Sequence, residues 1–130
     1  MQKSYQRKGT YTIEEVYEAV KDVLDPEARG TRIMFDGDNI KGNSQRYQVF
    51  FLKGMKCVKC GIEGKFFAKE KDAHARSYHL NLYGIDENGE EVLMTKDHII
   101  PKSKGGPNKL SNYQCMCVNC NSKKGNEKED

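Results

Sequence analysis

Two Cys-x-x-Cys pairs, Cys57–Cys60 and Cys117–Cys120, stand more than fifty residues apart, and any fold of this chain has to satisfy both. Two residues between cysteines let both thiolates turn onto one ion. Two such knuckles complete a tetrahedral shell of four thiolates with bonds of about 2.3 Å, the arrangement of a structural Zn2+ with no position left for water. The count of cysteines is five, an odd number that argues against a framework of disulfides alone. In a reducing compartment, short-spaced pairs favour a metal. No strand–helix–strand pattern surrounds either pair, as a thioredoxin-like redox site requires. The leftover Cys115 lies two residues before Cys117 on an expected strand; it reads as a small core side chain, with a ligand role as the alternative.

A staple of this kind suits the rest of the chain. Its 130 residues have room for one compact domain, yet only 36% are hydrophobic, none is Trp and 32% are charged, so the core is thin. No apolar run approaches the roughly 18 residues needed to cross a bilayer, and the N-terminus lacks the apolar stretch of a secretory signal. The expectation is a soluble, cytoplasmic protein with no membrane partner. The net charge of +3 decides little, but its distribution is uneven. Residues 96–125 hold six lysines against the single acid Asp97, whereas residues 12–27 hold six acids against Lys21. The basic third suits a polyanionic partner; the acidic segment does not.

Along the chain, residues 1–11 are polar and basic and are expected to fray. Thr12 and Glu15 form a capping-box signature, and Ile13, Val16, Tyr17, Val20, Val23 and Leu24 recur at helical spacing until Pro26 and Gly30. That stripe is core or a face for docking on a partner. Asp36 to Asn43 is expected to be a loop; it looks at first like a calcium loop but lacks the terminal glutamate. Alternation of Tyr47, Val49 and Phe51 predicts a strand over 46–52, and another is expected over 65–69. The segment 78–83, the Asn88-Gly89 turn and the segment 91–100 predict a hairpin. A Gly- and Lys-rich loop follows, then a short strand at 113–116 and a helix from about Val118.

The most informative stretch is Thr95-Lys96-Asp97-His98-Ile99-Ile100-Pro101-Lys102-Ser103-Lys104-Gly105-Gly106, taken with Leu110 to Asn121. Phosphodiester hydrolysis needs a base to activate water, a cation at the departing oxygen and donors for the phosphate. His98 offers an imidazole, the commonest general base, and suits that role. Asp97 and Asn121 offer hard oxygen donors suited to Mg2+ or Mn2+. Lys102, Lys104 and Lys124 could contact backbone phosphates.

With its two CxxC pairs, this pattern resembles the HNH endonuclease family over about Cys57 to Gly125, most densely from Asp97 onward. The first His of the family motif matches His98, the middle Asn matches Asn112, and the last position matches Asn121, where many members carry His. Asn108 is a rival for the middle position, but it lacks the Tyr-Gln that follows Asn112. The resemblance implies an α+β fold: a ββα-metal motif braced by the four-cysteine zinc site, with an N-terminal helical extension. It also implies that Asn112 ties down the loop between the strands and so sets the His98 ring. His74 and His79 read as structural.

The expected organisation is an extension over 1–50, a zinc-stapled nuclease domain over 51–126 and a disordered tail over 127–130. The expected activity is metal-dependent cleavage of DNA, nicking as a monomer and cutting both strands as a homodimer. The chain's small size and lysine content fit a phage or other mobile element. The competing readings are a catalytically silent zinc-ribbon module that binds nucleic acid, and an accessory subunit whose acidic N-terminal helix docks on a larger complex. A mere binder has no use for Asp97, His98, Asn112 and Asn121.

Overall fold

A computed structural model describes residues 5–25, 27 and 30–128. Strand β1 (Tyr5–Tyr11) is followed by helix α1 (Ile13–Val20), a hairpin of β2 (Arg32–Phe35) and β3 (Asp38–Lys41), and a short helix α2 (Gln45–Gln48). A π-helical turn, Val49–Lys53, continues α2. Strands β4 (Gly64–Asp72), β5 (His79–Ile85), β6 (Glu91–His98) and β7 (Tyr113–Cys117) lead into helix α3 (Val118–Lys128). The long sheet runs β1-β4-β5-β6-β7, every neighbour antiparallel. This is an α+β arrangement. Among the described residues no helix is long and apolar enough to cross a membrane.

The capping box forms as expected: Thr12 Oγ1 accepts from the Glu15 amide at 3.0 Å, and Glu15 Oε1 accepts from the Thr12 amide at 2.9 Å. The helix it starts is shorter than the apolar stripe. Val16 and Val20 are fully buried in the chain's own core, with Val23 and Leu24 packed against it beyond the helix. The Asn88-Gly89 turn also forms, with Gly89 at φ 79° and Asp86 Oδ1 accepting from the Asn88 and Glu90 amides. β4 is longer than the expected 65–69.

Three local expectations are overturned. Residues 5–11 do not fray; they pair along β4 from Tyr5↔Asp72 to Tyr11↔Phe67, so part of the expected extension is a strand of the main sheet. The Asp36–Asn43 segment is largely a hairpin, with Asp36 at φ 47° and Gly37 at φ 83° in its two-residue turn. The segment 46–52 is helical. Ser44 caps it, and Tyr47, Gln48, Val49 and Phe50 are buried in succession, which a strand with one wet face would not allow. Of the tail expected over 127–130, 127 and 128 belong to α3, and 129–130 lie outside the described residues.

The core lies between one face of the sheet (Phe67, Leu80, Leu82, Val92, Met94) and the elements over it, Val16, Ile40, Tyr47 and Phe50. Tyr47 Oη accepts from the Leu80 amide, and Lys53 Nζ donates to the Leu110 and Tyr113 carbonyls, tying the helical turns to β5 and β7. Helix α3 covers the opposite face of β6, as its hydrogen bonds to Thr95 and Asp97 show.

Candidate active site and cysteine cluster

β6 and β7 set the site. Their register pairs Asp97 with Gln114 and His98 with Tyr113. Because successive side chains on a strand point to opposite faces, Thr95 and Asp97 face α3, while Lys96 and His98 continue the face of Val92 and Met94.

On the α3 side, Asp97 is 3% exposed. Its Oδ2 accepts from Gln114 Nε2 at 2.8 Å and from Lys124 Nζ at 2.5 Å. The same ammonium donates to the His98 carbonyl at 2.7 Å. Asn121, one turn before Lys124, donates from Nδ2 to Thr95 Oγ1 at 2.9 Å, which leaves its amide oxygen as the available donor atom. Asp97 and Asn121 thus share the β6–α3 seam. Lys124, expected on a phosphate, turns inward onto Asp97 instead.

On the other side, His98 Nε2 lies 2.7 Å from Asn108 Oδ1, and its ring meets Tyr113 edge-on at 5.0 Å. With a carbonyl oxygen as partner, Nε2 is the nitrogen that donates, and in the neutral ring Nδ1 is then the acceptor. Lys96 Nζ sits 4.3 Å over the Tyr113 ring and donates to Gln45 Oε1, which also accepts from Tyr113 Oη at 3.1 Å. Asn108, Tyr113 and Gln45 are contacts the sequence reading missed. The only signal for Asn108 was its rivalry for the middle Asn; nothing marked Gln45.

The loop 99–112 places Asn108. The buried Asn112 carboxamide accepts from the Ile100 amide at 2.9 Å and donates to the Ile100 and Pro107 carbonyls at 3.1 and 3.0 Å. Asn112 therefore spans both ends of the loop that carries Asn108 to His98. A Cβ on Gly106 would stand 1.8 Å from the Ile100 carbonyl oxygen, and Gly105 sits at φ 86°. Both glycines are required by the backbone. Lys102 and Lys104 are exposed on the same loop, and His74 is exposed far along the chain in the β4–β5 connection.

The four cysteines come together as the spacing implied. The Sγ atoms of Cys57, Cys60, Cys117 and Cys120 all lie within 4.8 Å of one another, and this group could hold a metal ion. Cys60 and Cys117 Sγ are 3.8 Å apart; a tetrahedron with bonds of about 2.3 Å has edges of about 3.8 Å. The first knuckle is docked on β7 by the Val58 amide, which donates to the Cys115 carbonyl at 3.1 Å. Burial opposes ionisation of Cys57, but backbone amides of Cys117, Cys60 and Lys59 outweigh it and bring the thiol down to about 6. Cys115 is outside the cluster; burial first, then the neighbouring Cys57 and Cys117, push its thiol up to about 12.

The Asp97–Asn121 seam offers hard oxygens, and the ammonium already seated there shows that it accepts positive charge. The donor chemistry fits a divalent cation provided that Lys124 gives way.

Searches of curated proteins and of solved structures return no match. A comparison with protein families does: residues 86–130 match the HNH endonuclease family. The matched segment contains β6, the glycine loop, β7 and α3. In its last third, then, the chain is similar to the HNH endonuclease family, over the part that holds Asp97, His98, Asn112 and Asn121.

Proposed function

We propose that the chain is a metal-dependent HNH endonuclease that hydrolyses DNA phosphodiester bonds with His98 as general base. The observation that carries this reading is the pairing of His98 Nε2 with Asn108 Oδ1, which leaves Nδ1 as an oriented base beside a basic cleft.

In this reading His98 Nδ1 takes a proton from a water whose oxygen attacks phosphorus. The bond to the 3′ oxygen breaks, giving 5′-phosphate and 3′-hydroxyl ends. Asn108 fixes the ring, and Asn112 fixes Asn108 by closing its loop. Asp97 and Asn121 would hold Mg2+ or Mn2+ in place of the Lys124 ammonium. The divalent cation, when bound, supplies charge stabilisation at the departing oxygen. Lys102 and Lys104 contact the DNA backbone. Cys57, Cys60, Cys117 and Cys120 hold a structural Zn2+ that fixes β7 and the start of α3. One such site addresses one strand, so a monomer nicks and a dimer cuts both strands.

The test is nicking of supercoiled plasmid in Mg2+ or Mn2+ by the wild type and by His98→Ala, beside a chelator control. Metal-dependent nicking that falls about 10²–10⁴-fold in the variant, at unchanged zinc content, supports the reading. Equal cleavage by both proteins rules it out. A second reading, a DNA-binding module without catalysis, draws on Lys124 occupying Asp97; retarded DNA without cleavage would favour it.

A further inference from the structure

The residues before the HNH segment form a wall of the same cleft. The cleft, about 1230 Å3, is lined by His98 and Asn108 on one side and by Lys41, Asn43 and the α2 residues Gln45, Arg46 and Gln48 on the other. Among the described residues five cations line it, Lys41, Arg46, Lys96, Lys102 and Lys109, against the single acid Glu27.

The cleft cations lack the acidic partners that several cations of the fold have, and so do Arg32 and Lys53 outside the cleft, which bond Asn39 and backbone carbonyls. Elsewhere Arg7 bridges Glu70 and Glu91, Lys8 and Lys69 share Asp38, and Lys124 holds Asp97. None of the five cleft cations has an acidic partner among the described residues. Arg46 donates to the neutral Asn81 Oδ1, and Lys96 to the neutral Gln45 Oε1. Self-repelling charge is thus concentrated where it faces solvent. The Asn43 carboxamide, 3% exposed, lines the same cleft, and among the described residues neither Nδ2 nor Oδ1 has a hydrogen-bond partner. Buried polar atoms left so are uncommon.

We propose that this cleft is the DNA groove of the nuclease, and that Lys41 and Arg46, outside the HNH segment, hold backbone phosphates of the strand presented to His98. The groove rests on the nuclease reading but stands on separate residues. Cations neutralised within the fold would release no counterions on binding DNA, whereas these unpaired ones do.

The measurement is anisotropy of a labelled DNA duplex against salt concentration, without added divalent metal, using the full chain. For Lys41→Gln/Arg46→Gln the slope of log K against log salt should fall by about 0.9 per lost phosphate contact, about 1.8 in all. Lys21→Gln, at the C-cap of α1, should leave it unchanged. Because Arg46 also holds Asn81, Lys41→Glu serves as the second variant; Lys41 is exposed and makes no side-chain hydrogen bond among the described residues. An unchanged slope and affinity in both variants overturns the groove. If the wild type nicks DNA in that case, the nuclease reading stands without it. If the wild type does not nick but the slope falls, the groove stands and the nuclease reading fails.

Discussion

Lys124 Nζ lies 2.5 Å from Asp97 Oδ2 and 2.7 Å from the His98 carbonyl, so the chain's own ammonium neutralises the carboxylate expected to bind metal. The contact spans β6 and α3, and Asp97 is almost fully buried behind it. A divalent cation arriving there meets a competitor of the same sign.

Lys124→Met should therefore bind Mn2+ more tightly than the wild type, read by electron paramagnetic resonance of the free ion. Without divalent metal the variant should be less stable, because removing one member of a buried pair costs about 3–5 kcal/mol, the lower end applying where the lysine is part-exposed. Saturating Mg2+ should recover much of that loss by mass action. Equal Mn2+ affinity in both proteins would remove Lys124 from the metal site.

Asn108→Leu should lower kcat by at least about 10-fold, short of the ~10²–10⁴-fold expected on removing the base, with little change in KM. Asn108→Asp retains an oxygen acceptor for His98 Nε2 and should recover activity. A purely structural role for Asn108 would give no such rescue.

Asn112→Ala strips the Ile100 amide and the Ile100 and Pro107 carbonyls of their partner. Ile100 and Pro107 are exposed, so each lost hydrogen bond costs about 0.5–1.5 kcal/mol, and a modest fall in the denaturation midpoint is expected together with lost cleavage. Gly106→Ala should do likewise, since its Cβ has no room beside the Ile100 carbonyl.

One zinc per chain is expected by elemental analysis, and Cys120→Ser should release it and unfold the C-terminal third; structural sites of this kind contribute about 10–16 kcal/mol apparent. Cys115→Ala should retain the metal. Loss of zinc in Cys115→Ala alone would reassign the ligands.

What the sequence revealed depended on whether chemistry or packing spoke. Cysteine spacing marked the cluster because two short loops facing one ion leave little freedom. The β5–β6 turn, β7 and the start of α3 were legible from turn residues and alternation. Residues 46–52 were misread because Tyr47, Val49 and Phe51 alternate, while the capping Ser44 and the burial of Gln48 decide for a helix. β1 is polar because it lies at the sheet's edge: Arg7 is satisfied by Glu70 and Glu91, partners far along the chain. The Asp36-Gly37 hairpin turn was visible in the letters, but the strands beside it are short and the segment, rich in Asp, Asn and Gly, read as a loop. At the site, the sequence offered Asp97 and His98 as one pair, whereas the pleat sends them to opposite sides of β6. Gln45 could not have been found, since only the fold brings α2 to Tyr113.

The cysteine cluster also imposes a timetable. Its halves leave the ribosome 57 positions apart, an interval of about 3–11 s at ~5–20 residues per second. During that interval the Cys57–Cys60 knuckle has no β7 to dock on, and Asp97 has neither Gln114 nor Lys124. A nascent chain therefore carries two uncapped thiols and an unpartnered Asp97, and the step that shields the thiols also completes the seam.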